Sequence, residues 1–451
     1  MSKPNSMRRR EWLGSAAALA LTACGGGGSD GSEPAPAITS FGAAAASHCV
    51  GERARLTAVF AGGQGRIEPD IGPVSSGVPV ETPALDRSCR YTLIVEAPGR
   101  PPLRRELDLQ VGFRGRYQPL AMPFALQYHA VATAADGAII VLGGSRGGPV
   151  MSDAIDRFDP LTRTFTRIGR LRSGRSGHTA TRLADGQILV VGGQLGLNIG
   201  PITDLVDERN GAVVDGGRLQ QPRNRHAAVA LADGRVLLVG GAARDTVELW
   251  DPMTRQFRLV AARMRHVREY PSATLLQDGR VLIAGGLHPD GNHWFAEIFD
   301  PRSESFAPVD GVVADRRSLH QAHRLADGRV LILGGEVIDA PQRIVPLATV
   351  LQFDPNSARI TPQPDLERPR SLVQGVLLPD EQVLLFGGWT NDEERATPSA
   401  AAYRSNGAEV LPAMPLGRAW HTVSRLPDGR LLILGGDDEN GAPVMTAYLY
   451  E

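Results

Sequence analysis

Arginine and histidine recur three residues apart at four places in the chain: Arg175/His178, Arg223/His226, Arg317/His320 and Arg418/His421. A guanidinium offers five donors in a rigid fork, and a neutral imidazole offers one donor and one acceptor. Such pairs can hold an anion or cross-link backbone. Tyr128, Tyr270, Trp294, Trp389 and Trp420 stand near them in the sequence. Forked donors with stacking faces suit a carboxylated sugar or an acidic peptide. The candidate ligand-binding set is therefore Arg175, Arg223, Tyr270, Trp294, Trp389, Arg418 and Trp420. Because four repeats share the Arg-His pair, structural hydrogen bonding between repeats competes with ligand binding as its purpose.

Other chemistry is thinly supplied. His288, Asp290 and His293 fall in one loop without a recognised metal-ligand spacing. Asp437-Asp438-Glu439-Asn440 suits calcium or a solvated acidic loop equally in composition, and the second is commoner. There is no Gly-x-Ser-x-Gly elbow, phosphate loop or dinucleotide fingerprint, so no catalytic residue is assigned and no metal or other cofactor is implied. A formal net charge of -1 and a 5% aromatic share exclude the positive field that phosphate-backbone binding requires, so no nucleic-acid partner is expected. Lys3 is the only lysine among 48 Lys and Arg residues, so nearly all positive charge is bidentate guanidinium.

The elements that must position these residues repeat. Gly-Gly pairs begin at 143, 192, 240, 285, 334, 387 and 435, spaced 45 to 53 residues apart. Each closes an aliphatic run such as Ile139 to Leu142 or Val281 to Ala284, apolar on both strand faces and so requiring cover on both sides. Six residues before each first glycine stands a hairpin turn, Asp136-Gly137 for example, with Asp380-Glu381 the exception. A third strand ends in Asp159-Pro160, Asp251-Pro252, Asp300-Pro301 and Asp354-Pro355; repeats two and six use Asn210-Gly211 and Asn406-Gly407. Phe165, Phe257 and Phe306 follow on a fourth strand.

Four strands of this spacing, the double glycine, an aromatic-Asp-Pro turn and a later aromatic together resemble the Kelch repeat over residues 115–451. The resemblance implies an all-β chain built on a seven-bladed Kelch-type β-propeller, assigned to 112–451. Phe158, Trp250, Phe299 and Phe353 stand where that family usually has tyrosine. The chain after Gly436 holds only a loop and one strand, Val444 to Tyr450, so the seventh blade lacks its fourth strand. Arg116 to Leu120 is the expected N-terminal strand that closes the ring and removes its edge. Galactose-oxidase-like propellers, related by fold, need a cysteine crosslinked to tyrosine at a copper site, whereas Cys24, Cys49 and Cys89 all precede the propeller here. That excludes copper radical chemistry on this chain.

Ahead of the propeller, short alternating runs separated by turn signals predict a small β-sandwich over 37–111, and strings such as Leu56-Thr57-Ala58-Val59-Phe60 resemble bacterial immunoglobulin-like domains. Arg8-Arg9-Arg10 and the apolar stretch from Trp12 read as a signal peptide, too short to span a bilayer. Leu21-Thr22-Ala23-Cys24 resembles the bacterial lipobox, which makes 1–24 a lipoprotein signal, Cys24 the lipidation site and 25–36 a flexible tether. Export runs through a Sec or, on Arg9-Arg10, a twin-arginine route, and Gly25 favours the outer membrane over the inner. In an oxidising compartment Cys49 and Cys89 can form a disulfide worth up to about 4 kcal/mol, with two buried free thiols as the other option. The whole implies a lipid-anchored, monomeric, non-catalytic envelope module that binds a protein or glycan; the alternative is a carbohydrate-active propeller such as a sugar-acid mutarotase or lyase.

Overall fold

The aliphatic runs before the double glycines lie where two-faced burial demands. In a computed structural model of the chain, which describes residues 34–148, 150–242, 244–287, 296–309, 317–339, 343–390 and 396–451, every element is a β-strand. Seven four-stranded antiparallel sheets occupy 130–170, 179–218, 227–259, 272–308, 321–363, 374–411 and 422–450 with one added strand. They are the blades of a seven-bladed propeller, numbered here 1 to 7. The innermost strands of successive blades touch in order, and that of blade 1 touches that of blade 7.

Alternation along each second strand assembles the core. Ile139 and Val141 pack with Leu432 and Leu434 of blade 7, while Ile140 and Leu142 pack with Ile188 and Val190 of blade 2. Both faces of the strand are thus buried against a neighbour, each aliphatic side chain contributing about 1.5–3 kcal/mol. In every blade but the second, where Val206 stands, an aromatic near the end of the third strand fills the outer part of the same interfaces. Phe158, Trp250, Phe299, Phe353, Tyr403 and Tyr450 are all buried, and the Trp250 indole donates to the Gly216 carbonyl at 2.8 Å.

Blade 7 takes its fourth strand from the N-terminal side, as expected, one residue later than anticipated. Residues Tyr117–Ala121 pair antiparallel with Thr446–Tyr450, Tyr117 opposite Tyr450 and Ala121 opposite Thr446. The exceptional hairpin turn keeps the geometry of the others: Glu381, at φ 64°, takes the left-handed position that glycine holds elsewhere, and its N–H donates to Leu378.

The N-terminal module is a two-sheet sandwich. Strands β1 (Ala37–Ala43), β3 (Arg55–Ala61) and β6 (Val80–Glu81) form one sheet. The other holds β2 (Ser47–Cys49), β4 (Gln64–Glu68), β5 (Gly72–Val74), β7 (Cys89–Glu96) and β8 (Leu103–Gly112). Phe41, Leu56 and Phe60 of the first meet Ile67, Leu93, Val95 and Leu109 of the second.

This topology overturns the expected disulfide. Cys49 and Cys89 are free thiols on strands that flank β8 on opposite sides, opposite Gly112 and Leu109. Two strand spacings put them about 10 Å apart before the three-residue offset is added, beyond the reach of an S–S bond. The Cys49 sulfur instead accepts from Arg114 Nε at 3.0 Å.

The double glycines are needed as glycines. Gly240 has φ +65°, and a Cβ there would sit 2.4 Å from the Arg268 carbonyl oxygen. Gly240→Val should therefore cost about 3 kcal/mol or more in urea unfolding, while Gly279→Ala, at similar φ with nothing within 4 Å, should cost about 1 kcal/mol.

Candidate functional site

The arginines of the candidate set are scaffold. Arg175, Arg223 and Arg418 are 0% exposed, as is Arg317, so none can meet a ligand. Arg223 shows how the fork is used: Nη1 donates to the carbonyls of Gly240 and Thr246, both at 2.8 Å, and Nε to Glu248 at 3.0 Å. Arg418 likewise donates to Gly435 and Thr446, with its guanidinium 4.8 Å from the Tyr448 ring centre. Burial pulls its pKa down to about 10, so it is still charged at neutral pH. Arg175 donates to the Ile202 carbonyl and pairs with buried Asp204 at 2.7 Å. Two further arginines do the same work, Arg268 on Gly285 and Glu297, and Arg370 on Gly387 and Glu367. The Arg-x-x-His pattern hides them because Pro271 and Val373 replace the histidine.

The histidines are scaffold too. His226 Nε2 meets Thr179 Oγ1 at 2.9 Å, His320 Nε2 meets Ser272 Oγ at 2.8 Å, and His129 Nε2 meets Thr422 Oγ1 at 2.9 Å. Each contact crosses to the preceding blade. His178 and His421 have no such hydroxyl, because Ala130 and Gln374 stand where it would be. Burial lowers the pKa of His129, His178, His226 and His320 to about 3, so all four are neutral.

The residues closest to the channel lie two positions after each buried arginine, and after Leu126 in blade 1; all but buried Leu372 are at least partly exposed. There the backbone is left-handed in every blade: Tyr128, Gly177, Arg225, Tyr270, Leu319, Leu372 and Trp420 have φ between 53° and 61°. Interblade hydrogen bonds hold it so, for instance Gly177 N–H to the Tyr128 carbonyl and Tyr270 N–H to the Arg225 carbonyl at 2.8 Å. Six non-glycine residues in this sparsely populated region mark a position that the surrounding bonds over-determine.

These side chains meet over the channel. Trp420 of blade 7 lies 4.5 Å from Tyr128 and 5.6 Å from Tyr270 of blade 4, ring centre to ring centre. Arg225 sits 5.3 Å over Tyr270 and donates to Glu269 at 3.2 Å. Trp389, Leu319 and Leu372 pack beside Trp420 on an aliphatic arc. Beneath lies a cavity of about 600 Å³ lined by Gln127, Gln194, Asn224, Gln374 and four of the histidines.

Tyr270, Trp389 and Trp420 therefore belong to the mouth, whereas Trp294, His288, Asp290 and His293 fall outside the described residues. The acidic-ligand expectation loses its basis, since Arg225 is already paired and carboxyls outnumber it nearby. Glu336 and Asp437 are buried next to the mouth, and burial raises both pKa values, that of Asp437 to about 6. Arg225 and Glu336 escaped the sequence reading, and Asp437 was read only as part of an acidic loop. Their signal is an offset: two residues after the arginine for the first, the residue after Gly-Gly for the others.

No protein-family model and no curated protein matches this sequence. Solved structures do. A novel fungal alcohol oxidase of the AA5 family, in complex with copper, superposes with a TM-score of 0.61 at 13% identity over 75% of this chain and 76% of that chain. The structure of YjhT gives a TM-score of 0.46 at 12% identity over 73% of this chain and 95% of that one, too loose a likeness to argue from. The chain thus has the galactose oxidase and Kelch-like propeller fold. Copper does not fit it: among the described residues no three His, Cys, Asp or Glu side chains converge as a ligand set, and Cys49 and Cys89 lie in the sandwich.

Two stability measurements check the scaffold assignment. Arg223→Ala strands fully buried Glu248 and should cost about 3–5 kcal/mol in denaturant unfolding, with Arg223→Lys a poor rescue because it lacks the fork. The histidines predict a pH slope. Folded they bind fewer protons than unfolded between about 3 and 6.5, so stability is full above 6.5 and falls as pH drops, by up to about 1.4 kcal/mol per pH unit for each. His320→Gln should flatten the slope between pH 6.5 and 5 by its share.

Proposed function

We propose that the protein is a non-catalytic binding propeller of the bacterial cell envelope, held at the outer membrane by a lipid on Cys24, with an immunoglobulin-like sandwich as its stem. Its ligand is a neutral glycan taken at the mouth. The observation that carries this is the Trp420, Tyr128 and Tyr270 cluster above a polar cavity lined by Gln127, Gln194, Asn224, Gln374 and four histidines. Aromatic faces pack against sugar C–H surfaces, while amides and neutral imidazoles match hydroxyls in both donor and acceptor sense. The free charges at this mouth do not favour an anion.

A carbohydrate-active enzyme is the second reading, supported by Asp437. Its Oδ1 is buried without a partner and its pKa of about 6 would leave an acid partly protonated near neutrality. Screening the protein on glycan arrays and following any hit by NMR separates the two. Unchanged sugar signals support a binder; conversion that Asp437→Asn abolishes would establish the enzyme instead.

Trp420→Gly tests the site itself. Glycine already occupies this left-handed position in blade 2 as Gly177, so the exchange removes the ring without straining the backbone. Glycan affinity should fall at least about tenfold with a melting temperature within a few degrees of the parent. Unchanged affinity would remove the mouth from consideration.

A further inference from the structure

The two domains are stacked end to end, and the chain enters at the end remote from the mouth. A Cβ on Gly62 would run into the carbonyls of Pro34 and Ala35, so the first described residues lie at the β3–β4 turn. From there β1 and β3 run together, Ala37 opposite Ala61 and Ala43 opposite Leu56, toward the propeller.

At the propeller end Arg425 donates to Asp86 Oδ2 at 2.7 Å, and Gly51 packs on the Arg430 side chain. Asp86 also lies against Gly429, in the first hairpin turn of blade 7. The sandwich therefore sits on the turn face, and the strand Leu431–Leu434 crosses from that turn to the double glycine at the mouth. The joint is short and paired. Residues 113–116 link β8 to the closing strand, Phe113 stacks on Tyr450 at 5.2 Å, and Arg116 and Glu451 exchange backbone hydrogen bonds at 3.1 Å.

We infer that the sandwich stands the propeller off the anchoring membrane with the mouth facing away from it, so that the mouth takes glycans presented from the far side and not headgroups of the anchoring leaflet. This rests on the lipid anchor proposed above. Strand lengths put the mouth roughly 35 Å from the entry point. The ten chain steps from Cys24 to Pro34 reach about 35 Å only at full extension, so setting the mouth on the bilayer would cost that segment nearly all of its conformational freedom. The opposite orientation has a chemical argument, which makes the test informative: Leu197, Ile199, Ile338 and Ile344 are exposed on hairpins of the mouth face and could enter a bilayer.

The experiment uses the full-length lipidated chain on phosphatidylethanolamine and phosphatidylglycerol vesicles carrying a headgroup-linked acceptor dye. In a Cys49→Ala/Cys89→Ala background, a donor is placed at Arg100→Cys beside the entry pole or at Leu197→Cys on the mouth face. Energy transfer should be strong from position 100 and several-fold weaker from 197. Equal or stronger transfer from 197 in protein that sediments with vesicles overturns the stand-off and leaves the anchor intact. Protein that does not sediment, or a Cys24→Ala variant that still does, overturns the anchor and the stand-off with it. Neutron reflectometry of the unsubstituted lipidated protein reads the same order, a narrow layer at the bilayer and a broader one beyond. The reverse profile overturns the inference. Glycan binding by the protein off the membrane is unaffected by any of these outcomes.

Discussion

Seven blades are held at their mouth by one repeated exchange of hydrogen bonds. The second glycine of each double glycine donates its N–H to the carbonyl of the residue that opens the next blade, as Gly193 does to Arg223 and Gly388 to Arg418. In five blades the arginine side chain then returns to the carbonyl of the first glycine of its own pair, 17 residues on. One residue therefore ties two blades, through its carbonyl to the one behind and through its guanidinium to its own. Hydrogen bonds from charged donors contribute about 1.5–3 kcal/mol each, and burial excludes the water that would compete for them.

Burying the cations has a cost that the blades meet differently. Asp204, Glu248, Glu297 and Glu367 neutralise four of the arginines, while Arg418 relies on carbonyls and a tyrosine ring. Blade 1 dispenses with the charge. Leu126 stands in the arginine's place and keeps only the backbone half, accepting from Gly436 at 2.8 Å. It does so at the seam where the ring closes, where the strand Tyr117–Ala121 already supplies a full ladder of backbone bonds.

The blades were legible because their constraints are local and repeated: a turn glycine, an aliphatic run buried on two faces, a double glycine. The closing strand was legible from bookkeeping of strands alone. The disulfide was misread because proximity in sequence to predicted strands carries no information about which strand lies between them, and β8 does. The recurrence of the Arg-His pair pointed to hydrogen bonding between repeats, which the structure bears out, while the ligand-binding alternative for its arginines fails for a related reason. Arg175, Arg223 and Arg418 stand next to loop residues in the sequence, yet their side chains turn inward to carbonyls that belong to another part of the blade. Nothing in the composition of an Arg-x-x-His string distinguishes a fork that faces solvent from one that faces backbone.

What varies at the mouth follows from what does not. Interblade bonds hold the position two residues after the arginine in a left-handed conformation whether the residue is Gly177, Tyr270 or Leu372. Its backbone is fixed by neighbours, and outside blade 6, where Leu372 is buried on Ala396 and Ala419, its side chain is at least partly exposed at the channel. The scaffold therefore tolerates any side chain there at a similar backbone cost of about 1–3 kcal/mol, and glycine at less. A position that costs stability with a side chain and would cost little with glycine, yet carries glycine in a single blade, is occupied for what its side chains contact. In this chain those side chains divide into an aromatic and guanidinium arc on blades 1, 3, 4 and 7 and an aliphatic arc on blades 5 and 6. That division gives a sevenfold frame one asymmetric face, and asymmetry is what a channel mouth needs to hold a ligand in one orientation.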